Sequence, residues 1–248
     1  MSRAEVPVLA VVVVTRAGRA LARALDSVAW AAERGVLDPA GEVGSETVPA
    51  GVRLARDATQ VVGLGTAPWM LLLAEHEVAA AGLEEDVARI ARQGVSRACR
   101  VGVEVDTLGV RLVPRYAAVR IAPRDTARVV VERGLELSLA GGPGHGQHLA
   151  TGLCASRGAS IDEAVGVLGT ESRALSVLLA RQEPAPGVAA ISLSAMVAAQ
   201  RLLLARAPAH AGIVRWLAVV FTGYRVILAH TRAWELRQAQ PIPLREIA

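Results

Sequence analysis

The sequence predicts an α/β protein in which a mixed sheet is flanked by helices and followed by a C-terminal helical extension. Three observations carry this prediction. Residues 8–14 form an unbroken, mostly β-branched apolar run, which is typical of a parallel strand covered on both faces. Helical periodicity follows directly, which gives a strand–turn–helix unit. From residue 160 onward the pattern is helical throughout.

The first half of the chain alternates strands with helices. After the run at 8–14 and a turn at 15–18, apolar residues at helical spacing predict a helix over 19–33. A short strand at 35–38 then ends on Asp38, with Pro39 as its stop. The other elements predicted here are a strand at 52–55, a brief helix or irregular stretch at 57–65, a buried strand at 68–74 and a helix at 83–92.

The second half changes from alternating strands to helices. Alternation of apolar and polar residues predicts short, half-exposed strands at 101–106, 118–122 and 127–131. Ser160 and Glu163 have the spacing of a capping box, which predicts a helix from 160 to about 182. Further helices are predicted at 188–206 and 210–237. We therefore divide the chain into a sheet domain, 1–157, and a helical region, 158–248.

Composition excludes several classes of protein. The chain is 52% hydrophobic and 20% charged, which is too apolar for intrinsic disorder. It contains no lysine, and this excludes a P-loop, a Schiff-base enzyme and a protein kinase. The net charge of +4 comes from dispersed arginines and only 3% of residues are aromatic, so we expect no nucleic-acid partner. Two distant cysteines and no recognisable secretion signal favour the cytoplasm.

Two polar residues follow neighbouring predicted strands. Thr15 comes after the first strand and Asp38 ends the second. Ligands of open α/β sheets bind beyond the carboxyl ends of the strands, so both residues are candidates for a binding edge. The alternative for Asp38 is an ordinary turn aspartate before a proline.

The most distinctive polar group is the triplet Glu75, His76 and Glu77, which comes directly after the buried strand at 68–74. Acidic side chains at i and i+2 beyond a strand can converge on a divalent cation, and a histidine between them adds a third ligand. A polar cluster at a strand end is also common surface chemistry. Both interpretations remain open from the sequence.

The last predicted helix carries a basic stripe. Arg215, Thr222, Arg225 and Arg232 follow one another at spacings of seven, three and seven, with apolar and aromatic residues between them. Such a helix can lie on an anionic membrane surface, where arginine contacts phosphate groups and tryptophan sits at headgroup depth. It can equally pack on its own domain.

The ordered segments resemble family 2 glycosyltransferases of the GT-A fold, particularly the bacterial group related to lipopolysaccharide core glycosyltransferases. The resemblance is spread over most of the chain. It is carried by VVVVT at 11–15, LDSVAWA at 25–31, GVLD at 35–38, APWMLLLAEHE at 67–77, VRIAPR at 119–124, SIDE at 160–163 and AWEL at 233–236.

The resemblance implies a GT-A-like, nucleotide-sugar-binding sheet domain and an inverting sugar transfer. Donor-site roles then fall on four residues: Thr15, Arg16, Asp38 and Arg120. The triplet 75–77 stands where the family carries its metal and diphosphate motif, which implies Mg²⁺ or Mn²⁺. Glu136 stands where the acceptor-activating carboxylate is expected, with Glu132 as the alternative. The implied partners are a nucleotide-sugar donor and a cell-envelope glycolipid or polysaccharide acceptor, met in the cytoplasm or peripherally on the inner membrane.

This chain departs from the family at the metal motif, where Ala74 and His76 replace its aspartates. Arginines could partly substitute for a metal: Arg16, Arg19, Arg53 and Arg120. A second hypothesis follows from the departures: a catalytically degenerate GT-A-fold protein that acts as a non-catalytic partner in envelope glycan assembly.

Overall fold

The computed structural model describes residues 5–14, 18–93, 98–114, 117–132, 136–140, 146–181 and 187–239. The strands are β1 (Val6–Val13), β2 (Ala31–Leu37), β3 (Val52–Ala55), β4 (Trp69–Ala74), β5 (Glu77–Ala79), β6 (Cys99–Thr107), β7 (Val110–Leu112), β8 (Ala117–Pro123), β9 (Arg128–Glu132), β10 (Glu136–Ala140), β11 (Gln147–His148) and β12 (Leu153–Ser156). The helices are α1 (Arg19–Ser27), α2 (Leu83–Gln93), α3 (Ile161–Arg181), α4 (Val188–Leu203) and α5 (Gly212–Ala239), with short 3₁₀ turns between strands.

The main sheet is mixed and runs in the order β3-β2-β1-β4-β8-β6-β12-β5, with β7 and β11 also paired to β6. The first four strands are parallel to one another, and β8 joins them antiparallel to β4. A separate antiparallel hairpin is formed by β9 and β10. The fold class predicted from the sequence is therefore confirmed, and the parallel part has the 3-2-1-4 order of doubly wound sheets.

Both faces of β1 and β4 are buried, as their continuous apolar runs predict. Side chains alternate along a strand. Val11 and Leu72 lie on the face covered by α3 and α5, in the same core as Leu175 and Val226. The alternate residues of the two strands, including Val12 and Leu73, face α1 and α2. The helical region thus shares a core with the sheet, and its division from the sheet at residue 157 stays a prediction.

The helix predicted over 19–33 is wrong beyond Ser27. The structure ends α1 at Ser27 and begins β2 at Ala31, four residues before the predicted strand. Ala31 and Glu33 pair with the start of β1, and Glu33 accepts the backbone N–H groups of Thr66 and Ala67 at 2.7 Å. These long-range bonds override the helical propensity of an alanine-rich segment.

Candidate functional site

The candidate site lies at the carboxyl ends of β1 and β4. These adjacent parallel strands are the point where the strand order reverses, because the chain winds outward to β2 and β3 on one side and to β4 on the other. Open α/β sheets bind ligands in the crevice at such a switch point. Two cavities meet here and share Glu75 and His76 in their linings.

The first cavity, called the central cavity below, lies between the sheet edge and the helices α3, α4 and α5, and has a volume of about 80 Å³. That is room for several water molecules, at roughly 10–15 Å³ each, and is well below the roughly 300–1,000 Å³ of a typical ligand pocket. Its ionisable lining residues are Glu75, His76, Glu77, Arg120, Glu136, Arg157, Glu171, Arg201 and Arg225.

A buried ion pair joins Arg120 of β8 to Glu77. Arg120 Nη2 donates to Glu77 Oε1 at 2.8 Å, and the two side chains are 1% and 5% exposed. The other oxygen, Glu77 Oε2, accepts the backbone N–H of Ala74 at 2.8 Å, so the carboxylate closes the turn after β4. Among the described residues, Arg120 Nε and Nη1 are buried and have no hydrogen-bond partner.

Glu171 of α3 is the centre of a second buried cluster. Its carboxylate accepts from Arg225 Nη1 of α5 at 2.6 Å, lies 2.9 Å from His76 Nε2 and lies 3.6 Å from Arg157 Nε. Burial alone would raise the pKa of Glu171, but the three cations outweigh it and hold that pKa well below its ordinary value. Burial lowers the pKa of His76, but the Glu171 carboxylate raises that pKa by a larger amount. The pKa of His76 therefore lies above its ordinary value.

Glu136, the sequence's candidate for the acceptor-activating carboxylate, begins β10 and lines the central cavity. Glu132 stands directly across the hairpin from it, in register. Its Oε1 accepts the hydroxyl of buried Ser138 at 2.6 Å, and Glu132 is not among the described residues that line the cavity. The geometry therefore favours Glu136 of the two, although the catalytic role stays a prediction.

The triplet 75–77 does not fit a divalent cation in this arrangement. Both oxygens of Glu77 are engaged by Ala74 and Arg120, and His76 Nε2 faces Glu171. Within the described ranges, no group of three or more His, Cys, Asp and Glu side chains is arranged to hold a metal ion. The metal role stays an untested prediction.

Asp38 has a different setting from the one predicted for a donor contact. It is fully buried, and its carboxylate accepts the backbone N–H groups of Gly41 at 2.9 Å and Val43 at 2.7 Å and pairs with Arg56. These bonds anchor the loop after β2. Thr15 and Arg16 lie outside the described residues.

The second cavity, called the α1 groove below, opens to solvent beside the N-terminus of α1 and has a volume of about 460 Å³. Arg19 and Arg23 of α1 lie on one wall, and Gly158 and Thr170 lie on the other. The groove is large enough for a small-molecule ligand. Glu75 and His76 form its boundary with the central cavity.

Three site residues were not among the sequence's candidates, namely Arg157, Glu171 and Arg201. Glu171 had a readable signal: it occupies the buried stripe of α3 between Leu168 and Leu175, where an apolar residue is expected. Arg157 and Arg201 have no comparable local signal, because only the tertiary fold brings them to the cavity.

The basic stripe of the last helix turns inward at three of its four positions. Thr222 and Arg225 are buried at the central cavity. Arg232 Nη1 donates to the Gly169 carbonyl at 2.9 Å and to Ser172 Oγ at 2.6 Å, both on α3. Packing on the protein's own domain, the second of the two interpretations, therefore describes these residues.

None of the protein-family models matches the chain, and no curated protein does. Among solved structures, residues 1–349 of S. aureus TarS are similar at 9% identity and a TM-score of 0.37, over 94% of this chain and 92% of that one. The same TarS fragment in complex with UDP-GlcNAc gives 7% identity and a TM-score of 0.36, again over 94% and 92%. A longer TarS structure is similar at 10% identity and a TM-score of 0.35, over 94% of this chain and 56% of that one. Likeness at this level is too slight to carry an argument about function.

Proposed function

We propose that the chain is a glycosyltransferase that moves a sugar from a nucleotide-diphosphate donor to a cell-envelope glycolipid or polysaccharide. One observation carries the proposal: at the switch point of the sheet, the open α1 groove meets a charged cavity that holds Glu136. The sequence resemblance to family 2 glycosyltransferases, from which the role of Glu136 is taken, is the other support.

The α1 groove suits a nucleotide diphosphate. Backbone N–H groups at the start of a helix and its positive dipole end favour phosphate groups. Arg19 and Arg23 on the same wall add guanidinium groups, which bind phosphate oxygens in a bidentate manner. In this pose the donor sugar points past Glu75 and His76 toward the central cavity.

The transfer step then uses this chain's own side chains. Glu136 takes the proton from the acceptor hydroxyl as that oxygen bonds to the anomeric carbon. The bond between the anomeric carbon and the diphosphate breaks at the same time, with inversion at that carbon. The groove arginines stabilise the charge that develops on the departing diphosphate.

Titration of UDP- and GDP-sugars by calorimetry tests the donor site. We expect binding that persists in EDTA, and an affinity that falls about 10- to 100-fold in Arg19→Gln and Arg23→Gln, because each loses a charge-assisted hydrogen bond of about 1.5–3 kcal/mol. Arg92→Gln, an exposed change near the end of α2, is the matched control and keeps wild-type affinity. Failure of every nucleotide to bind would refute the donor site.

A non-catalytic partner role is the second candidate, favoured by the small volume of the central cavity, about 80 Å³, under the covering helices. A partner protein does not need the Glu136 carboxylate. Complementation of a deletion strain by Glu136→Ala, at wild-type protein level, would favour this role over catalysis.

We also propose that the protein rests peripherally on an anionic membrane through one face of α5. The face is apolar and aromatic, and its residues are 44–73% exposed: Ile213, Trp216, Val220, Tyr224, Ile227 and Trp234. By length and composition Ala209–Ala239 could span a bilayer, since an 18-residue window within it has a mean hydropathy of 1.5. Its other face holds the buried Arg225–Glu171 pair, which spanning would expose to lipid, so a surface position fits better. The chain's net charge of +4 suits an anionic surface, as does exposed Arg206 in the segment before α5.

Co-sedimentation with vesicles of phosphatidylglycerol and phosphatidylcholine tests the membrane proposal. We expect Trp216→Ser/Trp234→Ser to weaken binding about tenfold or more, since each indole contributes on the order of 1.5–3 kcal/mol of burial. Ile161→Ser/Val165→Ser, which removes exposed apolar groups of α3, is the control and binds like wild type. Dimerisation through this face without vesicle binding would contradict the proposal.

A further inference from the structure

The central cavity contains buried guanidinium N–H groups that lack acceptors. Among the described residues, Arg120 Nε, Arg120 Nη1 and Arg157 Nε are buried with no hydrogen-bond partner. The two residues are 1% and 9% exposed. Most buried polar groups in folded proteins are satisfied, and an orphaned one is destabilising, more so when it is charged.

The carboxylates of the cavity are already shared. One oxygen of Glu77 accepts a hydrogen bond from Arg120, and the other oxygen accepts the backbone N–H of Ala74. Glu171 pairs with His76, Arg157 and Arg225, and the carboxylates of Glu77 and Glu136 also act on the two arginines. The lining is therefore close to charge balance, and what its described residues lack is an acceptor atom within hydrogen-bonding distance of the orphaned N–H groups.

The size and chemistry of the space select a small ligand. About 80 Å³ excludes a nucleotide but accommodates a group of a few heavy atoms. The lining presents N–H donors with fixed planar geometry, which match the oxygens of phosphate and carboxylate groups.

We propose that the central cavity is an oxyanion site, in which the buried guanidinium groups of Arg120 and Arg157 bind a phosphate or carboxylate group. The ligand's oxygens accept the orphaned N–H groups. The site is distinct from the α1 groove proposed for the donor diphosphate. If the proposed transfer is right, the oxyanion belongs to the acceptor, whose hydroxyl then lies toward Glu136 in the same cavity.

Thermal unfolding and calorimetry in inorganic phosphate, acetate and glycerol 1-phosphate test the site, with sodium chloride at equal ionic strength as the reference. A ligand that binds only the folded state raises stability with its concentration. We expect phosphate or acetate to raise the melting temperature where chloride does not. A response to glycerol 1-phosphate that exceeds both would assign the site to a group carried on a larger molecule.

The decisive variant is Glu77→Gln/Arg120→Gln, which removes both charges and the orphaned guanidinium N–H groups of Arg120. We expect it to weaken phosphate or acetate binding by about tenfold or more. Glu104→Gln/Arg111→Gln neutralises an exposed pair on β6 and β7 and is the matched control, with a wild-type response. If the first variant does not fold, a tungstate-soaked crystal of the wild type decides the matter by the anomalous peak expected in the central cavity.

Absence of any anion response, or an unchanged response in Glu77→Gln/Arg120→Gln, would overturn the oxyanion site and leave the cavity to water. The experiments distinguish failure of the oxyanion-site proposal from failure of the donor-site proposal. Anion binding without nucleotide binding refutes the donor groove alone, and nucleotide binding without anion binding refutes only the oxyanion site.

Discussion

Replacement of Glu171 by glutamine is expected to lower the free energy of unfolding by about 3–5 kcal/mol. The change is nearly isosteric, so the loss is electrostatic: it leaves His76, Arg157 and Arg225 buried around a neutral amide. Urea denaturation measures it directly. Glu42→Gln is the control, because Glu42 forms an exposed ion pair with Arg173 of α3, the helix that carries Glu171. We expect this replacement to lower the free energy of unfolding by less than about 1 kcal/mol.

The same cluster gives the protein a pH dependence with a definite sign. The folded-state pKa of His76 is raised above its ordinary value of 6.5, mainly because the Glu171 carboxylate outweighs burial. Its contribution is therefore complete below about pH 6.5 and is lost as the pH rises through the folded-state value. As the pH rises from about 6.5 through the folded-state pKa of His76, we expect the free energy of unfolding to fall more in wild type than in His76→Gln. Equal stability of Glu171→Gln and Glu42→Gln, together with identical pH profiles for wild type and His76→Gln, would contradict the cluster's role.

The second large effect concerns activity. Glu136→Gln is expected to lower kcat for sugar transfer by about 10²- to 10⁴-fold, because an amide cannot take the acceptor proton. Donor affinity should stay within about twofold of wild type, since the donor is proposed to lie in the α1 groove. Steady-state transfer kinetics and calorimetry, run on the same preparations, separate the two quantities.

Glu132→Gln decides between the two carboxylates that the sequence left open. Its carboxylate is bonded to Ser138, so we expect a much smaller loss of kcat than in Glu136→Gln. Glu104→Gln, on β6, serves as the activity control, because Glu104 pairs with Arg111 and is not among the described residues that line either cavity. A larger loss in Glu132→Gln than in Glu136→Gln would transfer the role of base to Glu132.

Much of the fold could be predicted because its strongest elements are locally encoded. The apolar runs of β1 and β4 are continuous, and α2, α3 and α5 carry clear helical periodicity. The strands β5, β7, β11 and β12 are only two to four residues long and exist through pairing with distant segments, so no local pattern marks them. The early end of α1 has the same cause, since β2 is specified by its bonds to β1 and to residues 66 and 67.

The candidate site was predictable only in part, for a similar reason. The triplet 75–77 stood out because ionisable residues follow a fully buried strand. Its partners come from α3, β8 and α5, so their convergence depends on the tertiary fold. The sequence pattern suggested a metal site, whereas in the structure Glu77 forms an ion pair with Arg120 and His76 contacts the Glu171 carboxylate.

The central claim is that the carboxyl edge of β1 and β4 receives a nucleotide diphosphate. A crystal structure of the protein soaked with UDP in EDTA tests this most directly. We expect density for the diphosphate in the α1 groove, within hydrogen-bonding distance of Arg19 or Arg23 and beside the start of α1. A well-occupied nucleotide elsewhere on the surface, or an empty groove at saturating UDP, would contradict the claim.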